Sequence, residues 1–228
     1  MVRLFDIALS LAALLVLSPM LLPVAVILKF TGEGEVFFIQ QRIGRDGKFF
    51  GLYKFATMLK NSPHMDTGTV TLMNDPRVLP VGKFLRKTKI NELPQLLNVL
   101  FGQMSVIGPR PQTPRCFNAF PADSQKIIGT VLPGLSGVGS IIFRGEEELL
   151  GLSKDPNAFY DDVIMPYKGQ LEEWFVRNQS LRVYCICIFL TGWIIFYPRS
   201  ALAWRLFPSL PTPPTELIDN VNWIKRDG

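Results

Sequence analysis

Between Ile7 and Leu28 the chain carries no charged side chain, with Arg3 and Asp6 before the run and Lys29 after it. As one helix, that length spans a bilayer hydrocarbon core of about 30 Å. Ser18-Pro19 interrupts the run near its middle and Pro23 follows, so the first leg from Ile7 to Leu17 covers only roughly 16 Å at helical rise. A kinked re-entrant hairpin therefore fits better than a straight pass, which stays open because proline is tolerated in spanning helices. A cleaved signal peptide fits less well, because the stretch is long and no clean small-residue cleavage site follows it. The composition agrees with membrane contact: 48% of the 228 residues are hydrophobic and the mean hydropathy is positive. The net charge of +5 suits an acidic lipid surface or anionic substrates as well as nucleic acid, so charge alone does not choose a partner.

A second constraint lies in VGKFLRKTKINELPQLLNVLFGQMSVIGPRP, residues 81–111. Asn91 suits a helix cap, and Leu93, Leu96, Leu97, Leu100 and Phe101 then recur at helical spacing until Gly102 stops the run. This predicts Glu92 in a first helical turn, beside backbone N–H groups that attract phosphate. A carboxylate there can hold Mg²⁺ on phosphate oxygens, and Arg110, stiffened by Pro109 and Pro111, offers a bidentate fork to an anion. The pattern reads as diphosphate chemistry.

Residues 35–55 predict a β-hairpin, with strands Val36 to Gln40 and Phe49 to Phe55 around Gly44-Arg45-Asp46-Gly47. Lys54 closes the second strand. A polar loop from Asn61 to Asp75, holding the lone His64, leads to a short helix expected to turn Val81, Phe84 and Leu85 inward and Lys83, Arg86 and Lys87 outward. Residues 116–180 read as mixed helix; the acidic clusters Glu146 to Glu148 and Glu172 to Glu173 are expected to be solvated faces, and Gly134 to Gly139 a flexible loop. The uncharged run Val183 to Tyr197 is short for a span, so it is a buried or an interfacial helix. Trp193, Tyr197, Trp204 and Phe207 resemble an interfacial belt, with core packing equally open. Pro208 to Pro214 reads as a stiff connector. Cys116, Cys185 and Cys187 form no disulfide or metal pattern and are expected to be reduced.

The 81–111 run resembles the signature of the monotopic phosphoglycosyl transferases, the bacterial sugar transferases. The match is Ile90-Asn91-Glu92-Leu93-Pro94-Gln95-Leu96, then Met104-Ser105 and Ile107 to Pro111. Gln41-Arg42-Ile43-Gly44, Tyr53-Lys54-Phe55 with Thr57-Met58, Asn74-Asp75-Pro76-Arg77 and Pro133-Gly134-Leu135-Ser136-Gly137 resemble further family blocks, in the family's order. The resemblance implies a mostly helical α+β protein: an N-terminal re-entrant membrane helix-hairpin (1–30), a cytoplasmic domain with a small β-hairpin and a helical catalytic core (31–180), and an apolar, interfacial helix with a Pro-rich tail (181–228). The core would carry interfacial amphipathic helices. It implies transfer of a sugar-1-phosphate from a UDP-sugar to undecaprenyl phosphate at the cytoplasmic face of the inner membrane, starting a polysaccharide or glycoconjugate. Glu92 would hold Mg²⁺, and Arg42, Lys54, Arg77, Arg86 and Arg110, with Pro109 and Pro111, would bind substrate. Membrane lipid is a further partner, nucleic acid is not, and a homo-oligomer stays open.

Three departures stand out. Asn91 replaces the family's attacking aspartate, Gln103 an aspartate, and Ala56 a basic residue. An amide is no nucleophile. Three routes remain: direct attack by the lipid phosphate, attack by Glu92, or binding of substrates without turnover. From another class comes a basic, membrane-anchored protein that binds nucleic acid or a protein partner. It leaves the Pro-Arg-Pro clamp unexplained, and the aromatic residues do not interleave with basic ones. The apolar anchor predicts that the protein stays with membranes through high-salt and carbonate washes, checked by fractionation; recovery as soluble protein would sink the re-entrant reading.

Overall fold

In the computed structural model, which describes residues 2–31, 33–62 and 76–220, the chain is mostly helical with two small sheets. It begins with helix α1 (Val2–Phe30), strands β1 (Phe37–Ile43) and β2 (Phe49–Phe55), and helices α2 (Pro80–Lys87) and α3 (Gln95–Leu100). Strand β3 (Ser105–Ile107), helices α4 (Pro114–Asn118) and α5 (Ala122–Ile128), and strand β4 (Gly134–Ser136) follow. The remainder is helical: α6 (Val138–Ile142), α7 (Glu146–Leu152), α8 (Pro156–Phe159), α9 (Met165–Arg177), α10 (Leu181–Phe196), α11 (Leu202–Leu206) and α12 (Thr215–Asn220). Two compact units result, one built from residues 3–41 and 51–102, the other from 42–50 and 103 onward. His64, Asn74, Asp75 and most of the predicted 61–75 loop lie outside the described residues.

In the first unit, α1 is helical throughout with Pro19 and Pro23 inside it, and it is long and apolar enough to cross a membrane. Its shielded positions nevertheless form one stripe at helical spacing: Arg3, Asp6, Ser10, Ala13, Leu17, Leu21, Val24 and Leu28. The other side is bare and apolar, with Leu4, Leu15, Val16, Leu22 and Phe30 all exposed. Both ends dock within this unit. Arg3 donates from Nη1 to Val99 O at 2.5 Å and from Nη2 to Leu100 O at 2.8 Å, placing a cation on the C-terminal carbonyls of α3. At the far end Leu28 packs with Phe55 and Leu85.

The hairpin forms as predicted, with β1 running three residues further, to Ile43. Its tip explains the Asp-Gly pair: Asp46 (φ 59°) and Gly47 (φ 70°) are both left-handed. The tip belongs to the second unit, where Asp46 N–H bonds Gly129 O at 2.8 Å and Ile43 N–H bonds Gln112 O at 3.0 Å. Helix α2 starts at Pro80, as proline's missing N–H permits. Leu85 faces inward as expected, whereas Phe84 is 60% exposed. The reason is Gly82: an added Cβ would stand 2.2 Å from Thr57 O, so the glycine face of α2 is the one pressed on the chain after β2, which turns Phe84 out.

The second unit is organised around α9 and α10. One face of α10 buries Tyr184, Cys187, Leu190 and Ile194, while Phe189, Ile195 and Phe196 on the other are exposed. Trp204 and Phe207 belong to the same core, as do Leu210 and Leu217, so those two aromatics form no belt at an interface. Trp193 stacks on Tyr197 at 4.5 Å. All three cysteines are free. The Gly134–Gly139 stretch is no flexible loop: Gly134–Ser136 is β4, parallel to β3 with Ser105 opposite Gly134 and Ile107 opposite Ser136, and Val138 opens α6. Backbone contact there is so close that a Cβ on Gly134 would stand 2.1 Å from Gly108 N. Gly134→Ala is expected to destabilise the protein by about 2–4 kcal/mol, because the atoms it would meet, on Gly108 and Ser136, are backbone and cannot swing away. Thermal melts in detergent check this.

Candidate active site

In the first unit the chemistry-bearing residues gather where β2 meets the approach to α3. Lys89 turns the chain through the left-handed region (φ 61°) into a tight 3-10 turn, Ile90–Glu92, and Pro94 heads α3. Asn91 is therefore inside the turn and caps nothing, contrary to the expected helix start. Glu92 N–H and Leu93 N–H are spent on Lys89 O and Ile90 O, at 3.0 and 3.1 Å. These two N–H groups beside Glu92, expected to be unpaired at a helix start, are therefore taken up within the turn. Lys54 Nζ lies 3.9 Å from Glu92 Oε1, both side chains only partly exposed.

One face of this segment carries buried amides at helical spacing. Asn98 donates from Nδ2 to Gly51 O at 2.7 Å and accepts Tyr53 N–H at 2.9 Å, clamping β2 onto α3 and so setting Lys54 beside Glu92. Asn91 is 7% exposed. Its Oδ1 and Gln95 Nε2 are buried without a hydrogen-bond partner among the described residues. Three amides among leucines were a visible signal for this face, yet the sequence reading used only Asn91. Arg86 is half-buried, not outward, with Nη1 3.7 Å from Met58 Sδ. Arg77 is 3% exposed and donates to Ser62 O at 2.8 Å, which fixes it in the framework of the unit.

The second unit holds the Pro-Arg-Pro turn. Gly108 N–H bonds Ser136 O at 2.9 Å and Gly134 N–H bonds Pro109 O at 2.8 Å, so β4 grips the turn from one side. Arg42 donates to Pro111 O at 3.2 Å, a backbone-holding use of a residue expected at the substrate. Pro109 and Pro111 are buried while Arg110 is half-buried. Arg110 lines a small cleft with Pro109, Pro111, Gln112, Phe117 and Pro133.

Behind the turn lies a residue that the sequence reading set aside. Glu172 on α9 is 1% exposed, not part of a solvated acidic face. Burial pushes its carboxyl up to about 7, while Lys168 and the backbone N–H groups of Arg110 and Gly139 favour the ionised form. Lys168 Nζ in turn bonds both oxygens of Glu146, at 2.9 and 2.8 Å. The available signal was Lys168 and Glu172 at i, i+4, which puts opposite charges on one helix face.

Among the described residues no three histidine, cysteine or acidic side chains group as a metal cage. Mg²⁺ needs none: it commonly takes one or two protein oxygens and completes its shell with water and substrate phosphate. Glu92 and the orphaned Asn91 Oδ1 fit that donor chemistry.

The family model described as bacterial sugar transferase matches residues 1–198. A UDP-glucose:undecaprenyl-phosphate glucose-1-phosphate transferase of Klebsiella pneumoniae is 42% identical over 204 residues, covering 87% of this chain and 41% of the relative. The exopolysaccharide production protein ExoY of Sinorhizobium fredii is 31% identical, with 83% of this chain and 82% of the relative covered. A UDP-N-acetylgalactosamine-undecaprenyl-phosphate N-acetylgalactosaminephosphotransferase of Aeromonas hydrophila is 37% identical over 82% of this chain and 41% of its own. The chain thus spans well under half the length of two of these three.

The raised carboxyl of Glu172 fixes the sign of a pH effect. The unfolded chain loses this proton near 4.5 and the folded chain near 7, so the group's stabilising contribution is full below 4.5 and is lost as pH rises through 7. Relative to wild type, Glu172→Gln is expected to gain up to about 3 kcal/mol between those limits. Melting temperatures of both proteins from pH 4.5 to 8 check this, the difference moving in favour of the variant as pH rises.

Proposed function

The chain belongs to the bacterial sugar transferase family, and from that membership we propose that it transfers a sugar-1-phosphate from a UDP-sugar to undecaprenyl phosphate, as the first step of exopolysaccharide synthesis. The observation that carries the reading is the Lys54–Glu92 pair, a cation and a carboxylate held 3.9 Å apart by the Asn98 clamp beside the buried Asn91. A phosphate oxygen of the lipid carrier attacks the β-phosphorus of the nucleotide sugar. The bond to the bridging oxygen breaks, UMP leaves with that electron pair, and one diphosphate linkage replaces another. Little bond energy is at stake, so positioning and charge neutralisation supply the catalysis.

Each side chain has a part that needs no covalent intermediate. Lys54 and Arg86 neutralise phosphate charge in the first unit, and Arg110 offers its fork to phosphate in the second. Glu92, with Asn91 Oδ1, would hold Mg²⁺, which supplies Lewis-acid neutralisation of phosphate oxygens. The amide of Asn91 contributes an acceptor and no nucleophile. That same amide favours a second reading, a protein that binds both substrates and does not turn over.

The seating of α1 supports a monotopic, one-sided attachment, and the family resemblance supports the cytoplasmic face for it. A helix crossing the bilayer would part its ends by about 30 Å of hydrocarbon. Here Arg3 and Leu28, near opposite ends, both dock within one unit, and the outward face is apolar along its length.

UMP release from a panel of UDP-sugars with Mg²⁺ and undecaprenyl phosphate tests the proposal. Wild type is expected to release UMP, and Glu92→Gln to fall at least about 100-fold. Release seen only with Asn91→Asp would establish the non-turnover reading instead.

A further inference from the structure

The reaction as written asks for no carboxylate behind Arg110, yet the second unit makes room for one. An added Cβ on Gly139 would stand 2.4 Å from Glu172 Oε1 and 3.1 Å from its Cδ, so this glycine leaves space for the acid. Backbone N–H groups of Arg110 and Gly139 bond the carboxylate. Oε2 has no hydrogen-bond partner among the described residues. A buried carboxylate oxygen left this way is a standing penalty that a framework role alone does not explain, since an amide could accept the same N–H bonds.

The groups facing Glu172 are few. Arg110 comes from the turn after β3 and Lys168 from one turn earlier on α9. Cys187 comes from α10, its thiol pushed up to about 12 by burial and by Glu172 itself, so it stays neutral near pH 7. Glu146 lies behind Lys168 and shares that cation's charge. Of the two cations, Arg110 is the one that opens onto a cleft.

We propose that Glu172 is a positioning residue for Arg110: its carboxylate fixes the backbone of the Pro-Arg-Pro turn, and its charge sets how strongly the guanidinium holds the diphosphate of a nucleotide sugar. The proposal rests on the reading that Arg110 binds phosphate. An ionised Glu172 draws part of the guanidinium's field to itself, and a protonated one leaves that field to the ligand. Affinity for a diphosphate therefore rises on acidification. A nucleotide sugar is a suitable probe, because each of its phosphates has one ester and one anhydride link, leaving a single strongly acidic oxygen, and keeps its charge from about pH 5.5 to 8.5. A carboxylate that only held the fold would shift melting temperature and leave this pH profile alone.

The test is the dissociation constant of UDP-glucose and of UDP-N-acetylgalactosamine for the full chain in lipid nanodiscs, measured calorimetrically across that pH range. Wild type is expected to weaken roughly three- to tenfold as pH rises through an inflection near 7. Glu172→Gln keeps the acceptor and loses the charge, so it is expected to bind at the wild type's acid-side value at every pH. Glu172→Ala, which loses the anchor as well, is expected to bind more weakly throughout; should it fail to fold, the Gln variant decides. Arg110→Ala runs in parallel. If it binds like wild type, or if wild type binds neither nucleotide sugar, the phosphate reading falls and the proposal with it. If Arg110→Ala weakens binding but Glu172→Gln retains the inflection, or wild type shows none, Arg110 keeps its role and the inference about Glu172 is overturned.

Discussion

The constraint on which the first unit depends is that α1 is apolar on both of its faces while only one of them is covered by protein. Leucines and valines docked on one side and bare on the other cannot both be satisfied in water, so lipid has to supply the second surface. The polar residues of the helix are placed accordingly. Asp6 and Ser10 are on the docked stripe with Arg3, and the outward face carries the exposed leucines, valines and phenylalanines. Exposed Phe37, Phe38, Ile39, Phe84 and Phe101 add apolar surface to the same unit.

Local chemistry in the sequence predicted what depends on one or two residues. Asp46-Gly47 fixed the hairpin because few pairs accept two successive left-handed residues, and Gly102, at φ 79°, ended α3 where the leucine repeat stopped. Expectations failed where a distant partner decides. Asn91 is a good cap by type, but the chain reverses at Lys89 and Pro94 leads the helix, which leaves the amide inside a turn. Trp204 and Phe207 look interfacial by composition and are core by packing. Phe84 satisfies the helical period, yet Gly82 gives α2 a tighter docking face. Glu172 reads as one more acid in a charged helix until the fold closes Gly139 over it.

The candidate site shows the same division. The sequence names Glu92, Lys54 and Arg110 through the family blocks, but it gives no sign that Arg42 is spent on Pro111 O or Arg77 on Ser62 O. Arginine serves in both uses, since its five N–H donors can bond backbone carbonyls as well as phosphate. Asn91 is the reverse case: its type was legible, and its burial beside Gln95 was not. One atom of each amide, Asn91 Oδ1 and Gln95 Nε2, is buried without a hydrogen-bond partner among the described residues, which a packed core rarely leaves.

The bonds from Arg3 to Val99 O and Leu100 O give the membrane helix a second identity. They make α1 the C-terminal stopper of the short helix whose entrance holds Asn91 and Glu92. A chain trimmed of α1 to make it soluble would leave those two carbonyls unanswered and strip the cover from Phe55 and Leu85 in one stroke. The anchor is thus a structural member of the first unit and not a leash, and any soluble fragment would have to find another way to close the end of α3.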